Sequence, residues 1–399
     1  MPPFALYIHW PFCASKCPYC DFNSLPRPQE AAEPWGEALR RELEAVAVRH
    51  AAALEGRCVD SVFFGGGTPS RMPPALVATL LATVARLWPV ADDAEITLEA
   101  NPATADVAAL AAFRAAGVTR LSLGAQALDD AALRRLGRLH DRAGVQEALA
   151  AARRCFPQVS CDLITGRPGQ SLDGWSAELA EVLRFAPDHL SVYALTLEPG
   201  TPFYRQAERG QLALPDEGTL LALDAVTAAA AAAAGLANYE ISNYARPGRE
   251  CRHNRRVWRS GDYLGVGPGA HGRLWQGWRR LALENQSAPD LWRAQVEACG
   301  HGGLKPAALS SEEAFTEVLL MGLRLVEGAC WETLAQALAG GDPRARLAAG
   351  CARLEGLGLL ETTPRHIRAT ARGRQCLNSV LATLLFGGQS PPVKGVPRA

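Results

Sequence analysis

The chain has no surplus of either charge: 41 Lys and Arg stand against 41 Asp and Glu in 399 residues. That balance gives no reason to expect nucleic acid or an acidic membrane as a partner, a local basic patch aside. Long hydrophobic runs are missing too, and none approaches the about 20 residues that a membrane span needs. The opening MPPFALYIHW has neither a basic n-region nor a long apolar core, so no secretory signal is expected. The eleven cysteines are an odd number, which does not suit a disulfide framework. A reducing, cytoplasmic setting is the expectation.

What is present is an ordinary globular composition, 48% hydrophobic and 21% charged, long enough for two domains and a large core. Apolar runs rich in β-branched residues predict strands at Leu6–Trp10, Val59–Phe64, Glu95–Ala100, Thr119–Gly124, Val159–Ile164 and His189–Leu195. Helical periodicity lies between them, over 34–54, 74–88, 106–116, 141–155 and 172–185. Six strands alternating with helices imply parallel βαβ units, whose functional groups gather at the C-terminal strand ends. The alanine-rich stretch 220–236 is a further helix, to which we assign no chemistry.

The chemistry is concentrated in LYIHWPFCASKCPYCDFNS, residues 6–24. Cys13, Cys17 and Cys20 form a C-x3-C-x2-C run just after the first strand. Three soft thiolates so close together can hold one face of an iron–sulfur cluster. Zinc is the other reading, with His9 as a fourth ligand. At the remaining strand ends stand Gly65-Gly66-Gly67-Thr68-Pro69, then Glu99, Gln126 with Arg138 beyond it, and Asp162. The glycines alone are compatible with a tight βα turn. They also let a ligand approach the backbone amides.

The cysteine run, with Tyr19 before its last cysteine, resembles the radical S-adenosylmethionine (SAM) superfamily. There a [4Fe–4S] cluster held by three cysteines leaves one iron open to SAM, which is cleaved on reduction to a 5′-deoxyadenosyl radical. YIHWPFC…CPYCDFNS is similar to the oxygen-independent coproporphyrinogen oxidase group, and the likeness runs from Tyr7 to about Leu385. It implies a partial (β/α)6 TIM-like barrel with a small helical, winged-helix-like C-terminal domain. It also implies SAM contacts from Tyr7, Gly66 and Glu99. Gly67, Thr68, Gln126, Arg138 and Asp162 match residues that hold a second SAM in the oxidase. Arg167 stands where the group usually has an apolar residue.

Two function classes follow from the resemblance. One is enzymatic: oxidative decarboxylation of a porphyrinogen, or a related radical SAM methyl transfer. The other is a heme chaperone that binds heme and passes it to an acceptor protein. The oxidase has a fourth cysteine two residues after the third and a long N-terminal extension. Here the position is Phe22, and the first strand begins at about residue 6. The block YEISNYARPGRECRHNRRVW, residues 239–258, resembles one that ends H-N-x-x-Y-W in the chaperone branch, with Val257 in place of the tyrosine. These features favour the chaperone. His253, with Cys251 two residues before it, is then a candidate heme ligand. GVGPGAHG, residues 265–272, either lines the open side of the barrel or forms a tight turn.

The expected organisation is a barrel over 1–240, a connecting segment over 241–305, a C-terminal domain over 306–386 and a disordered tail over 387–399. A two-stranded wing is expected at Leu359–Thr362 and His366–Ala369. Its role is docking or closure of the barrel, with no nucleic acid involved. No membrane span is expected, although transient docking on membrane-bound heme proteins is compatible with this reading.

Overall fold

The computed structural model describes residues 2–27 and 30–387, so the expected tail lies, Gly387 apart, outside the described residues. Six strands form in chain order: β1 (Phe4–Trp10), β2 (Val59–Gly66), β3 (Val90–Ala100), β4 (Arg120–Gln126), β5 (Gln158–Thr165) and β6 (His189–Ala194). Each pairs in parallel with the next. Helices Glu33–Arg49, Pro74–Leu87, Val107–Ala115, Arg142–Cys155 and Leu172–Arg184 connect them. Three of these start on a carboxylate or hydroxyl cap, where Asp106, Asp141 and Ser171 accept the Ala109, Gly144 and Gly174 amides. Such caps satisfy otherwise orphaned amides and fix where each helix begins.

The strands continue beyond the six read from the sequence. Tyr263–Val266 adds to the free edge of β1 in parallel, and His271–Gln276, Arg279–Glu284 and Ala307–Ala308 follow it antiparallel. Asn243–Ala245 and Ala237–Glu240 extend the β6 edge antiparallel. The result is a 12-stranded sheet whose middle is the expected barrel wall. Its curvature is evident in which side chains lie within electrostatic reach of one another. Glu99 on β3 and Asp162 on β5 both act on the Tyr193 hydroxyl of β6. In a flat sheet β3 and β6 would lie about 14 Å apart.

Inward-facing positions alternate with buried ones. Tyr7 is the one residue of β1 that is not fully buried, and Glu99, Ser122 and Asp162 are half-buried on the same inner face. The outer face packs under the helices into one large hydrophobic cluster, from Phe4 to Val296. A second cluster, from Ala314 to Leu384, forms the C-terminal unit. That unit holds the expected wing strands, Leu360–Thr362 and His366–Ala369, with Ala329–Cys330 making the sheet three-stranded.

Candidate cluster and nucleotide site

The cysteine loop leaves β1 at the C-terminal end of the sheet and is anchored there by backbone. Gly67 and Thr68 donate their amides to the Trp10 and Phe12 carbonyls at 2.7 and 3.1 Å. Gly67 has to be glycine. A Cβ there would lie 2.8 Å from the Pro11 carbonyl and 3.0 Å from Cys13 Sγ. All three thiols are free and half-buried. Burial raises the Cys13 thiol, and the neighbouring Cys17 and Cys20 add to the rise while the Thr68 hydroxyl opposes it. Each sulfur meets a polar group: Thr68 Oγ1 donates to Cys13 at 3.4 Å, Arg138 Nη1 to Cys17 at 3.5 Å, and Cys20 lies 3.7 Å from Ser24 Oγ. Hydrogen bonds to thiolate sulfur are one of the protein's means of tuning a cluster potential.

Among the described residues no three His, Cys, Asp or Glu side chains converge on a single ion. A cubane takes one thiolate on each of three irons and needs no such convergence. His9 is not available as a zinc ligand, because both ring nitrogens are occupied. Nε2 donates to the Asn23 carbonyl at 2.8 Å, and Nδ1 accepts from Tyr7 at 3.0 Å. Burial holds this imidazole neutral, lowered to about 4. His9 thus links the inner face of β1 to the far end of the cysteine loop. Asn23 in turn donates to the Pro268 and Ser287 carbonyls. The glycine-rich loop packs against this link, since a Cβ on Gly267 would strike the His9 carbonyl at 2.5 Å. Glu42 fixes that loop by accepting the Gly267 and Gly302 amides, each at 2.7 Å.

Tyr7, Gly66 and Glu99 come together beside this loop. Gly66, at φ +116°, donates its amide to Glu99 Oε2 at 3.2 Å. Burial pushes the Glu99 carboxyl up to about 8; the Asp162 charge adds to this and the Gly66 amide opposes it. Asp162 accepts from Ser122 at 2.8 Å and from Ser160 at 3.2 Å. Burial raises it as well. Ser160 continues to His189 and Tyr239, at 2.7 and 2.8 Å. The inner wall therefore presents two buried carboxyls, both raised by burial, with no cation beside Glu99 among the described residues, an arrangement that suits a cationic ligand.

The second set divides. Arg138 spends Nη1 on Cys17 and Nη2 on the Gly124 carbonyl at 3.0 Å, so with Gly67 and Thr68 it buttresses the cysteine loop. Gln126 ends β4 with left-handed backbone, φ 69°. Arg167 turns out of the lumen, 3% exposed, onto the Trp175 ring and against Glu178. Glu178 is the compensation for the departure at this position. It also accepts the Leu128 amide at 2.7 Å.

His253 lies on a short helix, Arg252–Trp258, that closes the N-terminal end of the barrel as a floor. Its ring sits among Phe63, Tyr7 and Tyr263 at 5.0, 6.0 and 6.3 Å between centroids. It is 7% exposed, Nδ1 has no partner among the described residues, and burial lowers it to about 3. A neutral imidazole suits iron ligation, but reaching it requires the surrounding rings to part. Cys251 is kept as a thiol, raised by burial and by Glu95. Beneath the floor a recess of about 590 Å³ is lined by Asp60, Asp93, Glu95, Arg252 and Arg256. Its charges are largely paired, Arg252 with Asp93 and Arg256 with Asp60. Sequence reading missed Tyr193, which could have been found from its place at the end of the sixth strand.

A strand-end cysteine triad, a glycine turn and an inward carboxylate define a radical SAM protein, and comparison agrees. The radical SAM superfamily model matches residues 7–186 and the HemN C-terminal domain model residues 309–376. More narrowly, the chain belongs to the family of the heme chaperone HemW. It is 38% identical over 391 residues to heme chaperone HemW of Mycobacterium tuberculosis (strain H37Rv), covering 96% of this chain and 95% of that one. To the HemW of Escherichia coli (strain K12) it is 40% identical over 279 residues, 69% and 71% of the two chains. Radical S-adenosyl methionine domain-containing protein 1, mitochondrial, of Bos taurus is 41% identical over 394 residues, with 96% and 87% covered. Among solved structures, the coproporphyrinogen III oxidase HemN from Escherichia coli superposes with a TM-score of 0.79 at 25% identity. That match covers 96% of this chain and 90% of that one. Membership of the radical SAM family implies a [4Fe–4S] cluster and SAM.

Proposed function

We propose that the chain is a heme chaperone built on a radical SAM core. Cys13, Cys17 and Cys20 hold the [4Fe–4S] cluster. Tyr7, Gly66 and Glu99 orient one SAM beside it, with Asp162 and Gln126 completing the wall. Bound there, the cluster would supply an open iron for the SAM amino and carboxylate groups. Gly67, Thr68 and Arg138 support the cysteine loop, and their engaged hydrogen bonds favour one SAM over two. Heme enters the barrel lumen, with His253 as the candidate iron ligand, and is handed to an acceptor protein. Eleven free thiols suit the reducing cytoplasm. No helix among the described residues is long and apolar enough to cross a membrane, so delivery to membrane-bound heme proteins would be by docking.

The observation that carries this reading is Phe22. It occupies the position where the oxidase has its fourth cysteine, and the residue is 63% exposed just after Cys20. The oxidase alternative has the HemN structural likeness in its favour, and one pair of assays separates the two. Hemin titration into the anaerobically reconstituted protein should develop a Soret band, and coproporphyrinogen should go unconverted. Conversion at useful rates, or no Soret change, defeats the chaperone reading.

A further inference from the structure

Buried arginines in this fold are paired. Arg57 meets Asp262, Arg120 meets Glu95, Arg167 meets Glu178 and Arg280 meets Glu317. Arg324, part-buried, has no such partner. Among the described residues its guanidinium makes no ion pair and no hydrogen bond, and its Nε is enclosed without a partner. The residue belongs to the C-terminal unit, just beyond helix Ser311–Gly322, and its backbone is clamped to the barrel edge. Ile241 N donates to its carbonyl at 3.1 Å, and Val326 N to the Tyr239 carbonyl at 3.0 Å. The guanidinium lies over Trp258, 4.4 Å from the ring centroid. Trp258 Nε1 is also buried with no acceptor. Two donors on stacked side chains therefore lack an acceptor, where buried donors are nearly always satisfied.

The surroundings indicate what would satisfy them. Glu240 and Tyr193 are the charged or ionisable neighbours whose influence reaches Arg324. Glu240 is raised by burial and takes the Asn243 amide instead. Tyr193 connects this point to Glu99 and Asp162 of the lumen wall. That wall is acidic and suits the cationic groups of SAM. An anionic group that reaches Arg324 meets a cation with no ion pair among the described residues, and the residue is only part-buried, which leaves it open to a ligand. A carboxylate offers two oxygens to a guanidinium fork and can accept from an indole N–H as well.

We propose that Arg324, stacked on Trp258, binds a propionate carboxylate of the tetrapyrrole that enters the lumen. This rests on the heme reading above and adds to it a recognition point contributed by the C-terminal unit. Loss of a charge-assisted contact corresponds to about 10- to 100-fold in affinity.

The test uses the full chain with its cluster reconstituted, hemin and hemin dimethyl ester as probes, and absorbance titration as the readout. Unsubstituted protein should bind hemin about 10- to 100-fold tighter than the ester. Arg324→Gln should bind both probes alike, at the ester's level, and Arg324→Lys should fall between. Iron content, SAM affinity and thermal midpoint report whether the variants are folded and whether the lost group is the SAM carboxylate. Equal binding of hemin and ester by the unsubstituted protein overturns the proposal, as does an Arg324→Gln variant that keeps the preference. Loss of SAM affinity with hemin affinity intact overturns it in favour of the SAM carboxylate. If the unsubstituted protein binds neither probe, the heme reading falls and this proposal with it.

Discussion

The two ends of the barrel use the same residue types to opposite effect. At the floor, carboxylates and guanidiniums neutralise one another: Glu95 with Arg120, Asp60 with Arg256, Asp93 with Arg252. At the mouth, Glu99 has a single backbone amide and Asp162 only hydroxyls for partners, and both carboxyls are raised by burial. Three thiols stand beside them without a disulfide. Pairing at the floor stabilises the fold, whereas groups left unpaired at the mouth are available to a ligand. Substitutions of the mouth carboxyls and thiols should therefore alter what is bound, and substitutions of the paired charges at the floor should alter stability.

The largest effect expected is at the mouth. Replacing Cys13, Cys17 and Cys20 together by Ala should take anaerobically reconstituted protein from about four irons per chain to none. The iron-free chain should keep its stability to within about 1 kcal/mol, because these thiols are half-buried and carry little packing. Iron retained by the triple variant would remove the basis for assigning the site to that loop.

The floor should respond in the reverse sense. Glu95 is 5% exposed, and its partner Arg120 is 1% exposed. Their contact measures 3.0 Å, and Glu95 Oε1 also accepts the Arg252 amide at 2.8 Å. Glu95→Ala leaves a buried guanidinium and the first amide of the floor helix unpaired, which should cost about 3–5 kcal/mol in denaturant unfolding. Iron and SAM loading of the protein that remains folded should be unchanged. An Ala variant as stable as the parent would mean that the pairing at the floor does not distinguish the two ends.

The mouth was the more legible end in the sequence, for a physical reason. A strand end is local: an apolar run stops and the next polar or glycine residue lies on the rim, so Gly66, Glu99 and Gln126 are read directly, whereas Asp162 lies three residues inside its strand. The floor is assembled over long separations. The Arg252–Trp258 helix meets Asp60, Asp93 and Glu95, residues more than 150 positions earlier, and nothing in RHNRRVW indicates that it lies under a barrel. The parallel strand Tyr263–Val266 is not legible in the sequence because its four residues run into a glycine-rich turn that masks the apolar run. Glu42 was hidden in another way. Within an amphipathic helix a glutamate reads as solvent-facing, yet this one is fully buried and holds two distant glycine amides. The contact of Arg138 with Cys17, across 121 residues, is one its sequence position does not indicate.

The finest test of the contrast is in pH. Glu99 in the empty protein is raised to about 8, largely by burial. At neutral pH its carboxyl is therefore mostly protonated, and a ligand that requires the carboxylate must first displace that proton. A fixed cation such as the SAM sulfonium should bind best above about pH 8, with affinity falling by at most about tenfold per pH unit below it. The empty protein should show the opposite trend. A carboxyl that holds its proton more tightly folded than unfolded contributes stability that declines from the unfolded value, 4.5, up to about 8. Glu99→Gln should flatten this component of both curves, lower SAM affinity above pH 8 and leave the iron content intact. Titration of SAM into the Gln variant between pH 6 and 9 measures this directly. A pH slope that survives the substitution would move the proton to Asp162, the other raised carboxyl of the inner wall. The two ends would still differ in kind, because Glu95, Asp60 and Asp93 at the floor are each already engaged by a guanidinium.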